Sequence, residues 1–471
     1  MKNKVLLNLS AMKKYHLILV SSLVFVLLFY KQTIGLNLGL FGLFLLGLVS
    51  YNNSNKFNNR LNFMLFGTSF LSCLAFAWYA DFASFLALFL SLVFLQFRLQ
   101  NQELKIIQVI PLIFLNGITS FGRILMFSQY LPKREINNDF VKKLIAYFII
   151  PAVFLALFFI VYSFGSDHFS SLFTDYYFDI NLWILFVISS LGFYISFTFW
   201  NYWIPEVCYE KNKLLANDFD EEAKHQNQST FSFLDIDFER KSGAITLFLL
   251  NVLLLIFIVT YNYEQFFEVV QKSKLSSDTH ERVNAVIFSI VMAVGVILFY
   301  FKGGFNFDEK AKKLKQLAQI WIFLNAVLIV SALIKNSEYI FHYGLTYKRL
   351  GVYAFLILAL IGLFFSLRKI TKQKTNAFLF NQMVWYCYGL ILLCSYFNWG
   401  NLITKYNISV NKGMDKEFLR NLNYNDEIYY NLYPEELKNI DKKNSKRENL
   451  LEYQNASSIS KVLYYESIDL K

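Results

Sequence analysis

Long apolar runs alternate with short polar connections along the chain. A helix crossing about 30 Å of hydrocarbon needs roughly 20 mostly apolar residues. Eleven runs qualify or nearly do: His16–Tyr30, Ile34–Tyr51, Leu61–Ala80, Phe82–Phe97, Leu144–Phe164, Leu182–Ile204, Gly243–Tyr261, Val283–Phe301, Leu317–Leu333, Leu350–Leu367 and Ala377–Phe397. The pattern predicts an all-α fold, a polytopic transmembrane bundle over residues 1–397. Asp81 alone separates the third run from the fourth, which predicts a tight helical hairpin. The first run follows Lys2, Lys4, Lys13 and Lys14, as a signal peptide would. No small-residue cleavage site comes after it and another span begins at once, so it reads as an uncleaved anchor.

A twelfth stretch, Ile106–Phe127, is long enough to cross but contains Pro111, Gly117, Gly122 and Arg123. Basic residues decide its reading, because cytoplasmic loops collect Lys and Arg. With the N-terminus inside and this stretch not crossing, the cytoplasmic segments hold 27 of the 45 basic residues. The short external loops hold 7 and the tail Asn398–Lys471 holds 11. A crossing would put the basic flanks Arg98–Lys105 and Lys133–Lys143 on opposite sides. We therefore expect a re-entrant or interfacial helix there, eleven true spans, and an external C-terminus.

Composition agrees: 56% of the 471 residues are hydrophobic, 17% are charged and 19% are aromatic, with mean hydropathy +0.38. Soluble domains sit nearer 45–50% apolar and about 25% charged. The formal charge of +11 sits in short stretches between spans, so it marks membrane orientation and not nucleic-acid binding. Cys73, Cys208, Cys387 and Cys394 form no CxxC pair and read as buried apolar side chains. Two polar pieces remain, the mixed-charge cytoplasmic loop 205–241 and the tail 398–471. In the tail, Phe418-Leu419, Leu422, Tyr429-Tyr430 and Leu432-Tyr433 suggest short amphipathic helices, in a piece too short for a large core of its own.

Candidate chemistry is sparse. Away from their ends the eleven runs contain no Asp, Glu, Lys or Arg, which weighs against an ion relay and leaves no pair for acid–base catalysis. Asn251, Asn325, Asn381 and Gln382 fit hydrogen bonding between helices. Asp235-Ile236-Asp237 has the form of a metal–nucleotide-sugar DxD, but no nucleotide-binding fold surrounds it. The first external loop, Lys31-Gln32-Thr33, carries no acid of the kind that lipid-linked glycosyltransferases use. The best external cluster is Glu338, His342, Tyr343 and Arg349; Glu338 and His342 would share a helix face. One Glu and one His make a weak metal set, and no metal or cofactor is expected. Arg123 is the candidate lipid-headgroup contact.

Two strings carry a resemblance: Tyr343-Gly344-Leu345-Thr346…Arg349, and Asn398-Trp399…Asn401…Tyr406-Asn407-Ile408. Over Arg240–Ile408 the chain resembles the domain-of-unknown-function family 4173, close to family 4153; the first half is similar in layout only. The resemblance implies a bacterial envelope protein and, since the family is named for having no assigned function, little more. Gly344 would turn the chain and Thr346 would cap the following helix. The sequence thus points to an integral inner-membrane protein, a non-enzymatic envelope scaffold or sensor, with a lipid or small-molecule translocator as the alternative. Its expected partners are membrane lipids and, through the tail, another envelope protein.

Overall fold

The computed structural model describes residues 12–131, 146–147, 150–166, 169, 181–221, 224, 235–267, 275–438 and 446–469. Among these, each of the eleven apolar runs coincides with a helix. They are α1 (Lys14–Phe29), α2 (Leu36–Asn52), α3 (Arg60–Tyr79), α4 (Phe82–Gln100), α6 (Ile150–Gly165), α7 (Leu182–Trp200), α8 (Ile236–Phe267), α9 (Leu275–Tyr300), α10 (Lys312–Tyr343), α11 (Tyr347–Thr371) and α12 (Asn376–Tyr396). The twelfth stretch forms α5 (Val109–Ile124) after a single 3-10 turn. Eight helices, the one at Ile106–Ile124 among them, are long and apolar enough to cross a membrane by length and composition. Shorter apolar helices cover the remaining runs.

Local chemistry sets the hairpins. Ala80 adopts a left-handed conformation (φ 51°) that ends α3. Asp81 then caps α4: its carboxylate accepts from Ser84 N at 2.8 Å, and Ser84 Oγ accepts from Asp81 N at 3.1 Å. Between α1 and α2 the amide of Asn37, fully buried, donates to Leu28 O and Thr33 O and accepts from Gly35 N and Leu38 N.

Packing divides the membrane part into two cores. The first joins α1–α5 and α7 around Phe25, Phe41, Leu65, Phe94 and Phe197. The second joins α8–α11 around Leu247, Ile290, Leu328 and Leu356. Helix α12 packs on both α4 and α11 and bridges them.

The connections sort into two faces. On one, Lys56 Nζ donates to Leu99 O (2.6 Å), Tyr209 hydroxyl to Asn101 (2.6 Å), and Lys105 N to Asn212 Oδ1 (3.2 Å). There too Thr375 bonds Ala216 and Asn217, while Gln373 and Lys315 both donate to Asn306 O. On the other face Asn181 N donates to Tyr30 hydroxyl, and Leu36 and Asn37 N donate to Lys461 and Ile459 carbonyls. Tyr424 hydroxyl donates to Tyr79 O there. These are the two sets that the basic residues separate, so we call them the basic face and the cap face.

Helix α5 does not run the length of α7. Tyr194 hydroxyl donates to Gly117 O (2.7 Å), Asn116 pairs with Trp203, and Phe127 lies against Phe193 and Phe197. The segment just after α5 thus meets α7 about 10 Å along it from Trp200, at 1.5 Å per residue. Asn181 lies on the cap face and the acids Asp167, Asp175 and Asp179 are unfit for hydrocarbon. These acids and the flank Lys133–Lys143 lie outside the described residues.

Helices extend further than the runs. Helix α10 has 32 residues, about 48 Å at 1.5 Å per residue, so the stretches around Lys312–Lys315 and Lys335–Tyr343 are helix ends and not loops. Lys369, expected in a polar loop, occupies the last turn of α11, fully buried, and donates to Phe301 O. Asp235-Ile236-Asp237 opens α8, and Asp237 pairs with Arg240 one turn on (2.7 Å), a helix-start arrangement.

The tail folds as a cap. Helices α13 (Trp399–Val410), α14 (Lys416–Arg420), α15 (Asp426–Leu432), α16 (Lys446–Asn455) and α17 (Leu463–Glu466) bury Ile403, Leu419, Leu422, Tyr429, Tyr430 and Leu450. Ile340 of α10 and Leu345 join that core, so the tail closes its apolar surface against the bundle.

Candidate functional site

Of the four residues of the external cluster, Arg349 and Tyr343 meet through Tyr339, while Glu338 and His342 bond elsewhere or not at all among the described residues. Glu338 pairs with Lys335 at 3.4 Å, one turn earlier on α10. It shares a helix with His342, whose exposed ring lies beside Phe341. Tyr343 is the last residue of α10 and stacks at a tilt on Tyr339, 4.8 Å between centroids. Arg349 reaches back onto the end of α10: its guanidinium donates to Gly344 O and lies 4.2 Å from the ring centroid of Tyr339, the ring that stacks on Tyr343. A cation at a helix C-terminus complements the helix dipole, so Arg349 closes the end of α10. Among the described residues no hydrogen bond or ion pair links it to Glu338 or His342.

The two quoted strings do meet. Asn407 Oδ1 accepts from Leu345 N at 2.6 Å, and Asn407 Nδ2 donates to Leu345 O at 3.1 Å. Gly344 has φ +83°, and a Cβ there would lie 2.7 Å from Asn407 Oδ1. Gly413 (φ +61°) leaves the same room on the other side of the Asn407 amide. Thr346 caps α11, accepting from Arg349 N at 3.3 Å. One amide therefore rivets the cap to the α10–α11 turn. Elsewhere the contact is as close: a Cβ on Gly35 would sit 2.1 Å from Ser460 O, and one on Gly400 1.7 Å from Asn423 O. Gln32 accepts from Ser457 and Ser460, so the tail holds the Lys31-Gln32-Thr33 loop as well.

Inside the cap lies a polar cleft of about 280 Å³ that the sequence reading missed. Its lining includes Arg420, Asn421, Asn423, Asp426, Asn449, Tyr453 and Tyr465, with Lys446. Asp426 and Lys446 form a buried pair, Nζ–Oδ1 3.6 Å, with side chains 4% and 10% exposed. The ammonium also donates to Leu422 O (2.6 Å) and Asn425 Oδ1, and faces the Tyr429 ring. Burial pushes the Asp426 carboxyl up and the Lys446 ammonium down, each opposed by the partner's charge. The Tyr464 hydroxyl lies against the same residue, accepting from Asp426 N at 3.3 Å and helping to hold the carboxylate. At the wall, Tyr453 and Tyr465 stack nearly parallel, 4.5 Å apart at 2°. Burial pushes the Tyr465 phenol up. No motif announces this site, because Asp426 and Lys446 are joined only by the fold.

On the basic face a smaller cleft of about 170 Å³ is lined by Arg98, Lys105, Asn217, Asn381, Gln382 and Trp385. Of the polar span residues, Asn251 does bond between helices, to Leu317 O (3.0 Å). Asn325 bonds its own helix at Trp321 O, and Asn381 bonds the loop at Leu215 and Asn217. A hydroxyl seam between α3, α4 and α12 was not expected. Tyr388 hydroxyl bonds Ser91 and Thr68 (2.8 Å each), Ser72 lies 3.2 Å from Ser91, and Tyr396 lies 3.4 Å from Ser72. Arg123 is held by protein: it donates to Asn201 O (2.8 Å), Ser120 Oγ (2.9 Å) and Asn116 Oδ1 (3.0 Å), near the Phe197 and Trp203 rings.

Apolar helices of membrane-crossing length, two packed cores and connections sorted onto two faces define an integral multi-pass membrane protein. The model of the domain-of-unknown-function family DUF4153 matches residues 40–428, and the chain belongs to that family. The expectation had put family 4173 first with 4153 beside it; the match settles on 4153 and takes in the first half as well. No curated protein and no solved structure matches the chain.

Proposed function

We propose that the protein is a non-enzymatic scaffold or sensor of the bacterial inner membrane, and that its cap is the recognising part. The 27-to-7 distribution of basic residues supports a reading with the basic face in the cytoplasm and the cap outside. The observation that carries the reading is the riveting of the cap to both halves of the bundle. It touches the α1–α2 turn through Gly35 and Ser460, α3 through Tyr79, and the α10–α11 turn through Asn407. A change in what the cap holds would therefore bear on helices of both cores. The partner is another envelope component that meets the cap's exposed surface, with lipids around the bundle.

Photo-crosslinking in cells tests this. A crosslinking residue at Glu427 or Leu432, exposed on the cap, should give a discrete protein product. The same residue at Phe248 or Leu253, exposed on α8, should give lipid adducts. Protein products from α8 alone, with none from the cap, would contradict the proposal. The hydroxyl seam supports a second reading, a small-molecule translocator, since it runs between three helices above the basic-face cleft. That reading requires Tyr388→Phe to change solute passage, whereas the scaffold reading requires it to leave cap crosslinks unaltered.

A further inference from the structure

Several cations of the basic face are spent inside the protein: Lys56, Lys315 and Lys369 on carbonyls, Lys374 on Asp218 and Arg240 on Asp308. Arg98 and Lys105 differ. Arg98, in the last turn of α4, makes one hydrogen bond, to Gln102 O. Lys105 bonds only through its backbone N–H, to Asn212 Oδ1, and its ammonium has no partner among the described residues. Neither residue pairs with an acid among them. Both are half-buried, and both line the cleft of about 170 Å³ where the ends of α3, α4 and α12 meet. Charge drawn out of bulk water without a counter-charge is costly, so a concave site with two such cations attracts an anion.

The neutral lining residues add donors. Asn217 Oδ1 already accepts from Asn381 Nδ2 at 2.8 Å, while its own Nδ2 is unbonded. The Gln382 amide and the Trp385 indole N–H likewise have no hydrogen bond among the described residues. These three nitrogens, with Arg98 Nη2 and Lys105 Nζ, are not among the buried orphaned atoms, so each meets solvent, on residues that line one cleft. No Asp or Glu lines it. Such a site asks for acceptor oxygens, of which a carboxylate brings two and a phosphate group three or four. We infer that the cleft binds a phosphate group. Its place agrees, because the indole of Trp385 near a helix end marks the depth of the membrane–water interface, where lipid phosphates lie. A volume of about 170 Å³ is well below the roughly 300–1,000 Å³ of drug-sized sites. The cleft therefore takes the phosphate group itself, either free or at the head of a lipid whose chains stay outside. This goes beyond the reading above and concerns the end of the bundle opposite the cap.

The test uses the full-length protein in uncharged detergent micelles at constant ionic strength. It is titrated by calorimetry with inorganic phosphate and with micelles carrying phosphatidylglycerol, oleate micelles serving as the carboxylate control. At least one phosphate ligand should bind, and oleate should bind at least tenfold more weakly. Binding of phosphatidylglycerol alone makes a lipid the carrier, and binding of inorganic phosphate shows that the group suffices by itself. Lys105→Gln removes an ammonium that bonds nothing in the described protein, so it should weaken binding about tenfold while the thermal transition stays in place. Arg98→Gln should weaken it too, but it also loses the bond to Gln102 O, so Lys105→Gln carries the test. Lys310→Gln, exposed on the same face outside the cleft, should leave the affinity unchanged. Absence of binding by both phosphate ligands, or oleate binding as tightly as they do, would overturn the inference. So would unchanged affinity in Lys105→Gln, or an equal loss in Lys310→Gln. The cap crosslinks are read at the other end of the bundle, so either result leaves the other standing.

Discussion

The two ends of the bundle are closed by different means. At the basic face, cationic and amide side chains reach across to backbone carbonyls: Lys56 to Leu99, Lys315 and Gln373 to Asn306, Lys369 to Phe301. Carbonyls near helix ends lack intrahelical donors, and Lys supplies three N–H groups on a flexible stem. The lysines counted in the orientation argument thus also latch the loops. At the cap face a folded tail provides the closure, with an aromatic core, a buried ion pair and close backbone contacts at glycines. The first arrangement rests on single side chains that reach one carbonyl each; the second rests on a packed core that the tail builds for itself and shares with Ile340 and Leu345.

Breaking the cap pair should have the largest effect. Lys446→Met leaves Asp426 buried without its cation, and removing one member of a buried pair costs about 3–5 kcal/mol. Thermal unfolding of the purified protein should show this loss, and the double variant Asp426→Leu/Lys446→Met should recover most of it. Burial already holds the Asp426 carboxyl above its unfolded value. Its protonated form is therefore favoured by folding, and the deficit of Lys446→Met should be greatest at neutral pH and shrink on acidification through the folded-state pKa. A deficit that grows in acid would contradict the pairing.

A smaller effect is expected from crowding the cap's seat. Gly400→Ala places a methyl where Asn423 O lies at 1.7 Å, so the α14–α15 connection must shift. Overpacking of this kind costs about 1–3 kcal/mol. Limited proteolysis should cut the tail of this variant faster than wild type while the bundle stays intact. At the other face, Lys315→Met should cost only about 1 kcal/mol. Asn306 O keeps its bond from Gln373, and the rate at which protease cuts the tail should not change.

The membrane part was legible because hydrocarbon imposes one requirement on every crossing segment, and each of the eleven runs that met or approached it is a helix. The described connections that contact one another fall into the same two sets that the basic residues separate, since each connection obeys the same rule independently. Helix ends were less legible: α10 continues through Lys335 and Glu338 because a helix outside the hydrocarbon no longer needs to be apolar. Lys369 escaped notice for a related reason, as its burial depends on Phe301 O, 68 positions away. In the tail the apolar positions Leu419, Leu422, Tyr429 and Tyr430 were picked out, but their partners Ile340 and Leu345 were not. Gly344 and Asn407 were each noticed within a string, yet only the fold shows that one amide unites the strings. The Glu338–His342 spacing was read correctly as one helix face, but spacing carries no information on where Arg349 points.

The central claim is that the two faces lie on opposite sides of the membrane, the cap outside. Single cysteines at Glu427 in the cap and at Lys310 on the basic face, both exposed, test it in a background lacking Cys208, Cys387 and Cys394. An impermeant maleimide applied to right-side-out vesicles should label Glu427→Cys at once and Lys310→Cys only after permeabilisation. Labelling of Lys310→Cys in sealed vesicles, with Glu427→Cys protected, would contradict the account.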